Sequence, residues 1–523
     1  MRTKRRTGAH TARLGPPSLL PAADTPKIAR GTATEVAELD AILAIVPDSP
    51  ARSLFEQLPE SERWQDLNAR SLSTSKTAPR PGTVRTTVLA NRRQTLAVLG
   101  YIGAEASTFE RLALAGRMLK EVSSRCPGSI GLIALGDEAA AQGSVDALLA
   151  ASLASAFQMP AFRSGGSEDV TIQRLALLDA AKVDIPYATA AARGTNLVRW
   201  LTALPPNMLD AQGYHATIAK LAKAHKVGFE WLDEQDLRRA GANAFLAVSA
   251  ANVRRDAGIA HLTYRPPGNK SRSPDIALVG KGILFDTGGV NLKPHRSMLD
   301  MHIDMSGSAV ALATLLALVE LQAPLAVDAW LAVTENQIGP NAYRPQEVVK
   351  AANGVTIQVI HTDAEGRMVL ADTLALAGKT QPRFMMDFAT LTGAAVYSLT
   401  ERMSGVLTNR PKLAAKLVEA GRTSGERVWN FPFDADYDTD LESKVADVLQ
   451  CSAEGGKGDH ILATRFLSRF VPEDIAWAHV DLSSATRTGG LGHINTDITG
   501  FGVRYALELI LRHDILADVG RRK

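Results

Sequence analysis

The chain has 523 residues, more than one hydrophobic core ordinarily organises, so two or more domains are expected. Hydrophobic residues make up 46% and charged residues 22%, with a net charge of +3, which is the composition of an ordinary soluble globular protein. Two cysteines, Cys126 and Cys451, make no disulfide framework and fit a reducing, cytoplasmic setting; no uninterrupted apolar run reaches the ~18 residues of a membrane helix.

The first predicted element is a tail, residues 1–31. It carries seven basic side chains against the single acid Asp24, a net of +6, while the rest of the chain nets −3. The body therefore lacks the global signature of a nucleic-acid binder. The tail has no apolar core of a secretory signal. A disordered extension is its plainest reading, and an Arg-rich, acid-poor transit peptide stays open. Thr34 to Ile45 has helical spacing, and the Pro/Ser/Thr/Arg-rich stretch Ser71 to Thr87 reads as loop. Gln94 to Leu99 predicts a strand, Ala104 to Val122 a helix, Ser129 to Ala134 a strand and Asp137 to Phe157 a helix. Together these outline a small α/β domain over residues 32–186, read as scaffold or assembly.

Residues 187–523 outline a second, larger domain. Gly194 to Leu221 reads as helix, loop and helix, broken at Pro205-Pro206. Strands follow at Phe229–Leu232, Ala257–Tyr264 and Asp275–Leu284, then a helix at Asp304 to Leu321, whose richest part, Ala309 to Leu321, reads as buried. A strand at Leu325–Val333 precedes the Asn353-Gly354 turn, which joins Glu347–Ala352 to Thr356–Ile360 as a hairpin. A helix at Arg367 to Lys379 and a strand at Phe384–Leu391 complete the pattern. The alternation predicts an α/β fold, a mixed sheet flanked by helices, with its site beyond the C-terminal strand ends.

Two segments at those ends are dense in charge. One is Lys281-Gly-Ile-Leu-Phe-Asp286-Thr-Gly-Gly-Val-Asn-Leu-Lys293-Pro, followed by Asp304 at the start of an apolar helix. The other is His361-Thr-Asp363-Ala-Glu365-Gly-Arg367. Taken singly, Asp304 reads as a helix N-cap, Asp-Thr-Gly-Gly as a turn and Asp-Ala-Glu as a solvated loop. Taken jointly, Asp286, Asp304, Asp363 and Glu365 put four negative charges into one crevice, a set that two divalent cations would neutralise. Oxygen donors without thiolates suit Mn, Zn, Mg or Co. Lys281 can join such a set only as a neutral amine. His-Glu-x-x-His, Gly-x-Ser-x-Gly and the phosphate-binding Gly-x-x-x-x-Gly-Lys-Ser/Thr pattern are absent from the sequence.

At these residues the chain resembles the leucyl aminopeptidase (cytosol aminopeptidase, M17) family. The signature Asn-Thr-Asp-Ala-Glu-Gly-Arg stands here as His361 to Arg367, continuing to Asp372. Asn341-Ala-Tyr-Arg-Pro345, Ala244-Phe-Leu-Ala-Val248, Ala389-Thr-Leu-Thr-Gly393 and Thr499-Gly-Phe-Gly-Val-Arg504 are also similar to family segments, over roughly Thr195 to Leu511. The resemblance implies an aminopeptidase that hydrolyses the N-terminal peptide bond of peptides with two metal ions, Mn or Zn first among them. It implies one ion on Lys281, Asp286, Asp304 and Glu365, and the other on Asp286, Asp363 and Glu365, with the Asp363 carbonyl. Lys293 would polarise the scissile carbonyl, and Arg367 would hold a bicarbonate acting as general base. The Leu391 backbone would meet the tetrahedral intermediate; Met301, Thr390 and Gly393 would line the first side-chain pocket. A homohexamer with clustered catalytic domains is implied as well. Two departures stand out: His361 in place of Asn, read as a neutral hydrogen-bonding substitute, and Ser483-Ser484 after His479-Val-Asp-Leu. Two rival readings remain at this point. One is DNA binding through the +6 tail; the other is a binuclear phosphatase, which would ordinarily enlist histidines.

Overall fold

The computed structural model describes residues 19–21, 25–74, 80–164, 172–180, 182–269 and 271–520. Most of the basic tail, and with it the transit-peptide and DNA-binding readings, lies outside the described residues.

The N-terminal sheet has six strands, β1 (Lys27–Gly31), β2 (Ala41–Pro47), β3 (Val84–Val88), β4 (Leu96–Ile102), β5 (Ser129–Ala134) and β6 (Arg174–Leu178), in the order β1-β6-β5-β2-β4-β3. Only β3 is antiparallel to its neighbour. The helices Thr108–Ser123 and Glu138–Ser155 start on capping side chains, Ser107 and Asp137, and pack on each other and on the sheet.

Three expectations need correction here. Thr34 to Ile45 is not one helix. A 3-10 turn, Ala33–Glu38, gives way to β2, whose run Ala-Ile-Leu-Ala-Ile-Val is buried on both faces. A short, continuous apolar run carries no period, and this one is a central parallel strand. The stretch Ser71 to Thr87 is not all loop: the helix Ser61–Thr74 and β3 take its two ends, while 75–79 lie outside the described residues. Lys27–Gly31, assigned to a disordered tail, forms the edge strand β1 along β6.

The larger sheet contains β7 (Gly228–Leu232), β8 (Gly258–Tyr264), β9 (Ile276–Asp286) and β10 (Val327–Asn336). After a small sheet built on the hairpin of β11 (Val348–Lys350) and β12 (Thr356–Gln358), it continues with β13 (Phe384–Ala389), β14 (Ser404–Thr408) and β15 (Val428–Asn430). Strand β16 (Val448–Leu449) joins the small sheet, and β17 (Ala476–Asp481) returns to the large one. The eight-strand order is β15-β14-β17-β13-β9-β10-β8-β7. The four central strands β17, β13, β9 and β10 are parallel, flanked by antiparallel neighbours on both sides. This is the expected mixed sheet, and its parallel centre aims four strand ends at one edge.

Alternate residues divide between two cores. Ile276 and Leu278 join the helices Ile185–Ala203 and Ser306–Glu320 on one face. Ala277 and Val279 join the helices Asn243–Ser249, Glu365–Gly378 and Asp459–Ser468 on the other. The run Met301–Glu320 is long and apolar enough to cross a membrane, yet 83% of its apolar 18-residue window is buried inside the fold. Helix Ile185–Ala203 links the two sheets' layers. Asn196 and Arg199 donate to Leu153 O and Ala154 O at 3.4 and 3.3 Å, while Val503 and Ala313 close on Gly194.

Candidate active site

Glycines set the approach of the Ser306–Glu320 helix to the sheet. A Cβ at Gly280 would lie 2.5 Å from Ser308 Cα, and one at Gly307 only 2.0 Å from Phe388 O. With no side chain at either position, the first turn of the helix lies directly on β9 and β13. That brings Asp304, just before the helix, against Lys281 in the middle of β9. Beyond β9 the chain turns through Gly288 and Gly289, at φ +85° and +65°, where side chains would be strained. The turn lies so close to Asp363 that a Cβ at Gly288 would sit 2.8 Å from its Oδ1.

The charged groups converge at this edge. Lys281 Nζ lies 2.9 Å from Asp304 Oδ2 and 3.0 Å from Glu365 Oε1, and donates to Thr390 O at 3.0 Å. Lys293 Nζ lies 2.8 Å from Asp286 Oδ2 and 2.6 Å from Asp363 Oδ1. Carboxylate oxygens of Asp286, Asp363 and Glu365 all fall within 4.8 Å of one another, close enough to share an ion. Asp304 is not an N-cap; it sits in the 3-10 turn Met301–Met305 and accepts from Thr390 Oγ1 at 2.7 Å.

Four carboxylates face two ammonium groups, which leaves two negative charges uncompensated in this largely buried set. The titration behaviour reflects that excess. Burial, with the charges of Glu365 and Asp304, pushes the Asp286 carboxyl above its usual range. Burial likewise raises Asp304 and Asp363. Burial also opposes charge at Glu365, but the ammonium groups of Lys281 and Lys293 outweigh it and hold its pKa low. At Lys281 burial is outweighed by Asp304, Glu365 and Asp286, so its ammonium is held above the ordinary lysine range. An oxygen-rich donor set short of positive charge fits divalent cations.

A crevice of about 280 Å³ opens over these groups. Lys281, Asp286, Lys293, Met301, Asp304, Asp363, Glu365, Arg367, Thr390, Leu391 and Gly393 all line it, so every sequence-predicted site residue is brought to one place. Ser483 lines it too, whereas Ser484 is buried and donates its N–H to Ser404 Oγ. His361 faces outward, its Nδ1 accepting from Asp363 N at 3.2 Å.

Three further polar residues at the site were not singled out in the sequence, although Asp481 lies within the quoted segment His479-Val-Asp-Leu. Asn336 ends β10 fully buried, its Nδ2 donating to Asp286 Oδ1 at 2.8 Å and to Thr362 O at 3.0 Å, with Glu365 Oε2 at 3.4 Å. Polar Thr-Glu-Asn at the close of an apolar strand was the signal for it. Asp481 ends β17 and shapes the 390–393 loop, accepting from Leu391 N at 3.1 Å and from Thr392 Oγ1 at 2.6 Å. The third is Asp459, bonded to Arg367 from 92 residues away; no local pattern marks it.

The sequence profile of the cytosol aminopeptidase family, catalytic domain, matches residues 196–507, more than half of the chain. The chain belongs to the cytosol aminopeptidase family. Among its relatives is a probable cytosol aminopeptidase of Synechococcus sp. (strain CC9605), 36% identical over 432 residues, 81% of this chain and 87% of that protein. Another, from Stutzerimonas stutzeri (strain A1501), is 40% identical over 336 residues, 63% of this chain and 66% of that one. In structure this cytosol aminopeptidase is similar to a mutant of tomato leucine aminopeptidase, with TM-score 0.83 and 26% identity, covering 94% of this chain and 98% of that one. It is also similar to the bottromycin maturation enzyme BotP in complex with Mn, with TM-score 0.78 and 27% identity over 91% and 99% of the two chains. The protein is accordingly an aminopeptidase, a hydrolase of peptide substrates.

Proposed function

We propose that this aminopeptidase removes single residues from free peptide N-termini with two divalent cations held in the 280 Å³ crevice. The observation that carries the reading is the excess of four carboxylates, three of them buried and Asp363 half-buried, over two ammonium groups at the C-terminal edge of the sheet's parallel centre. Lys281, Asp286, Asp304 and Glu365 would hold one ion. Asp286, Asp363 and Glu365 would hold the other, with the Asp363 carbonyl. Mn or Zn suits the donors best, and Mg or Co are the alternatives. When bound, such ions supply a nucleophile from water at neutral pH and draw electron density from the scissile carbonyl.

The chain's own residues do the rest. Lys281 would join the set as the neutral amine, its proton displaced to solvent when an ion binds. Lys293, freed from Asp286 and Asp363 by the ions, would offer its ammonium to the carbonyl oxygen, where it would meet charge that grows toward the transition state. Met301, Thr390 and Gly393 line the pocket for the first side chain. The Leu391 N–H is committed to Asp481, so its carbonyl is the backbone group left to contact substrate. Bicarbonate on Arg367 does not fit as the family resemblance implies, because that guanidinium already holds a carboxylate, and no step is routed through it. The wider reading treats the N-terminal domain, extended from residue 32 back to β1 at residue 27 and running to 186, as scaffold, 187–523 as the catalytic unit and the assembly as a homohexamer; the compartment is read as cytoplasmic, in keeping with the relatives' names.

The test is a matched pair of substrates, leucine amide and N-acetyl-leucine amide, at one pH and metal concentration. A free amine is a metal ligand that anchors the substrate, and acetylation removes its lone pair. The acetylated form should be at least ~10³-fold worse in kcat/KM, about 4 kcal/mol. Equal cleavage of the two overturns the reading in favour of an amidase or endopeptidase.

A further inference from the structure

We propose that Asp459 is the resident anion of Arg367, so that this enzyme binds no bicarbonate there and turns over without it. The inference rests on the aminopeptidase reading above.

Arg367 is only 2% exposed and stands two residues after Glu365 on the same helix. A buried guanidinium without an anion is costly, so some negative group must face it. Its Nη1 donates to Gln450 O at 3.2 Å, and its Nη2 donates to both carboxylate oxygens of Asp459, at 2.9 and 2.7 Å. Nη2 is common to both bidentate edges of a guanidinium. A planar oxyanion could not take either edge in the usual two-bond manner without displacing Asp459.

The placement of Asp459 is built into the fold. Gln450, at the start of the segment, accepts from Ile360 N and His361 N at 3.0 Å and donates to Ala364 O at 3.0 Å. It thereby ties residues 450–459 to the loop that carries Asp363 and Glu365. At the other end Gly458 takes φ +63° with nothing within 4 Å of a Cβ, so it serves the backbone turn rather than a close approach. That turn starts the helix Asp459–Ser468 and returns the Asp459 side chain to Arg367. A carboxylate fixed at both ends of its segment competes at an effective concentration well above the millimolar level of a short flexible tether. Dissolved bicarbonate has to compete with it from bulk solution. Asp459 thus acts as a positioning residue, holding Arg367 charged and in place without a cofactor anion.

The experiment uses the metal-loaded full chain. ¹³C-labelled bicarbonate is titrated by NMR and calorimetry at fixed pH and ionic strength, and turnover of leucine amide is measured in CO2-depleted buffer with and without millimolar bicarbonate. Wild type should show no saturable bicarbonate binding and no response in kcat. Asp459→Gly should bind bicarbonate, lose on the order of 10- to 100-fold in kcat without it, and recover when it is added. Asp459→Asn should lose activity and recover less, because its amide still fills the seat. Bicarbonate-dependent wild-type turnover overturns the inference and needs no variant to be seen. So does an Asp459→Asn enzyme with wild-type kcat. Failure to cleave leucine amide at all would instead strike the aminopeptidase reading, and the binding titration would still decide the role of Asp459.

Discussion

Gly366 offers a sharp contest between helix stability and site geometry. It lies in the first turn of the helix Glu365–Gly378, outside the left-handed region, so alanine fits its backbone. In an ordinary helix the exchange stabilises by about 1 kcal/mol. Here the new Cβ would lie 2.6 Å from Lys281 Cε and Nζ and 2.8 Å from its Cδ. Relief to ordinary contact at about 3.5 Å moves the lysine end by roughly 1 Å. That end is held by Asp304, Glu365 and the Thr390 carbonyl at 2.9, 3.0 and 3.0 Å, so the move stretches three charge-assisted contacts together. A misplacement of that size costs on the order of 10²-fold in rate. Gly366→Ala should therefore lower kcat/KM on leucine amide about 10²-fold, weaken metal retention on dialysis, and leave the melting temperature unchanged or higher. Elemental analysis, steady-state kinetics and a thermal melt on one preparation test all three. An alanine variant with full metal content and wild-type kcat/KM would refute the reasoning, because Lys281 would then not be fixed by its neighbours.

Chelation should abolish activity and added Mn, Co or Zn should restore it; full turnover in a verified metal-free preparation would end the two-cation reading. Asp304→Ala removes one of the four carboxylates and should cost about 4 kcal/mol or more of transition-state stabilisation, read as kcat/KM. Lys293→Ala should lower kcat on the order of 10²–10³-fold with both metals retained, and an empty site by elemental analysis would move Lys293 into the ligand shell. Far from the crevice, burial pushes Glu426 up to about 7 from an ordinary 4.5, although Gly502 N and Tyr505 N donate to it at 2.9 and 2.8 Å. Its folded pKa is raised, so the stability it contributes is present below its unfolded value and is lost as pH rises through about 7, a swing of about 3 kcal/mol. Glu426→Gln should flatten the urea-stability profile across that window; an unchanged slope would show that Glu426 ionises freely.

The sequence made the site legible because its chemistry is local. Lys281, Asp286 and Lys293 lie on one strand and its turn, and Asp363, Glu365 and Arg367 lie within one strand-to-helix loop. Each group is spaced by a single backbone motif, so residue order alone carries the geometry. Asn336 and Asp481 were harder, since each is one polar residue at a strand end and gains meaning only from the neighbouring strand. Asp459 was beyond reach: its partner is 92 residues away, and it follows the glycines of Gly455-Gly456-Lys457-Gly458 with no motif of its own. The same physics explains the misreadings of fold. In β2 burial on both faces erases the two-residue period that would have named it a strand, and in β1 pairing with β6 overrides a composition that looked disordered.

Charge balance ties the metal reading to Asp459. In the structure as it stands, Lys281 and Lys293 bridge the four carboxylates and leave a deficit of two. Two divalent ions supply four positive charges. Were Lys281 a neutral ligand, as proposed, the ions and Lys293 would outweigh these four carboxylates by one. A single anionic nucleophile would then bring this set of four carboxylates, Lys293 and two ions to neutrality, which favours the reacting state. That balance holds only while Arg367 contributes nothing. Left unpaired, its guanidinium would add a further positive charge in a buried place and demand an external anion. With Asp459 on its Nη2 the pair is neutral, so Arg367 would add no net charge to the proposed set and call for no external anion.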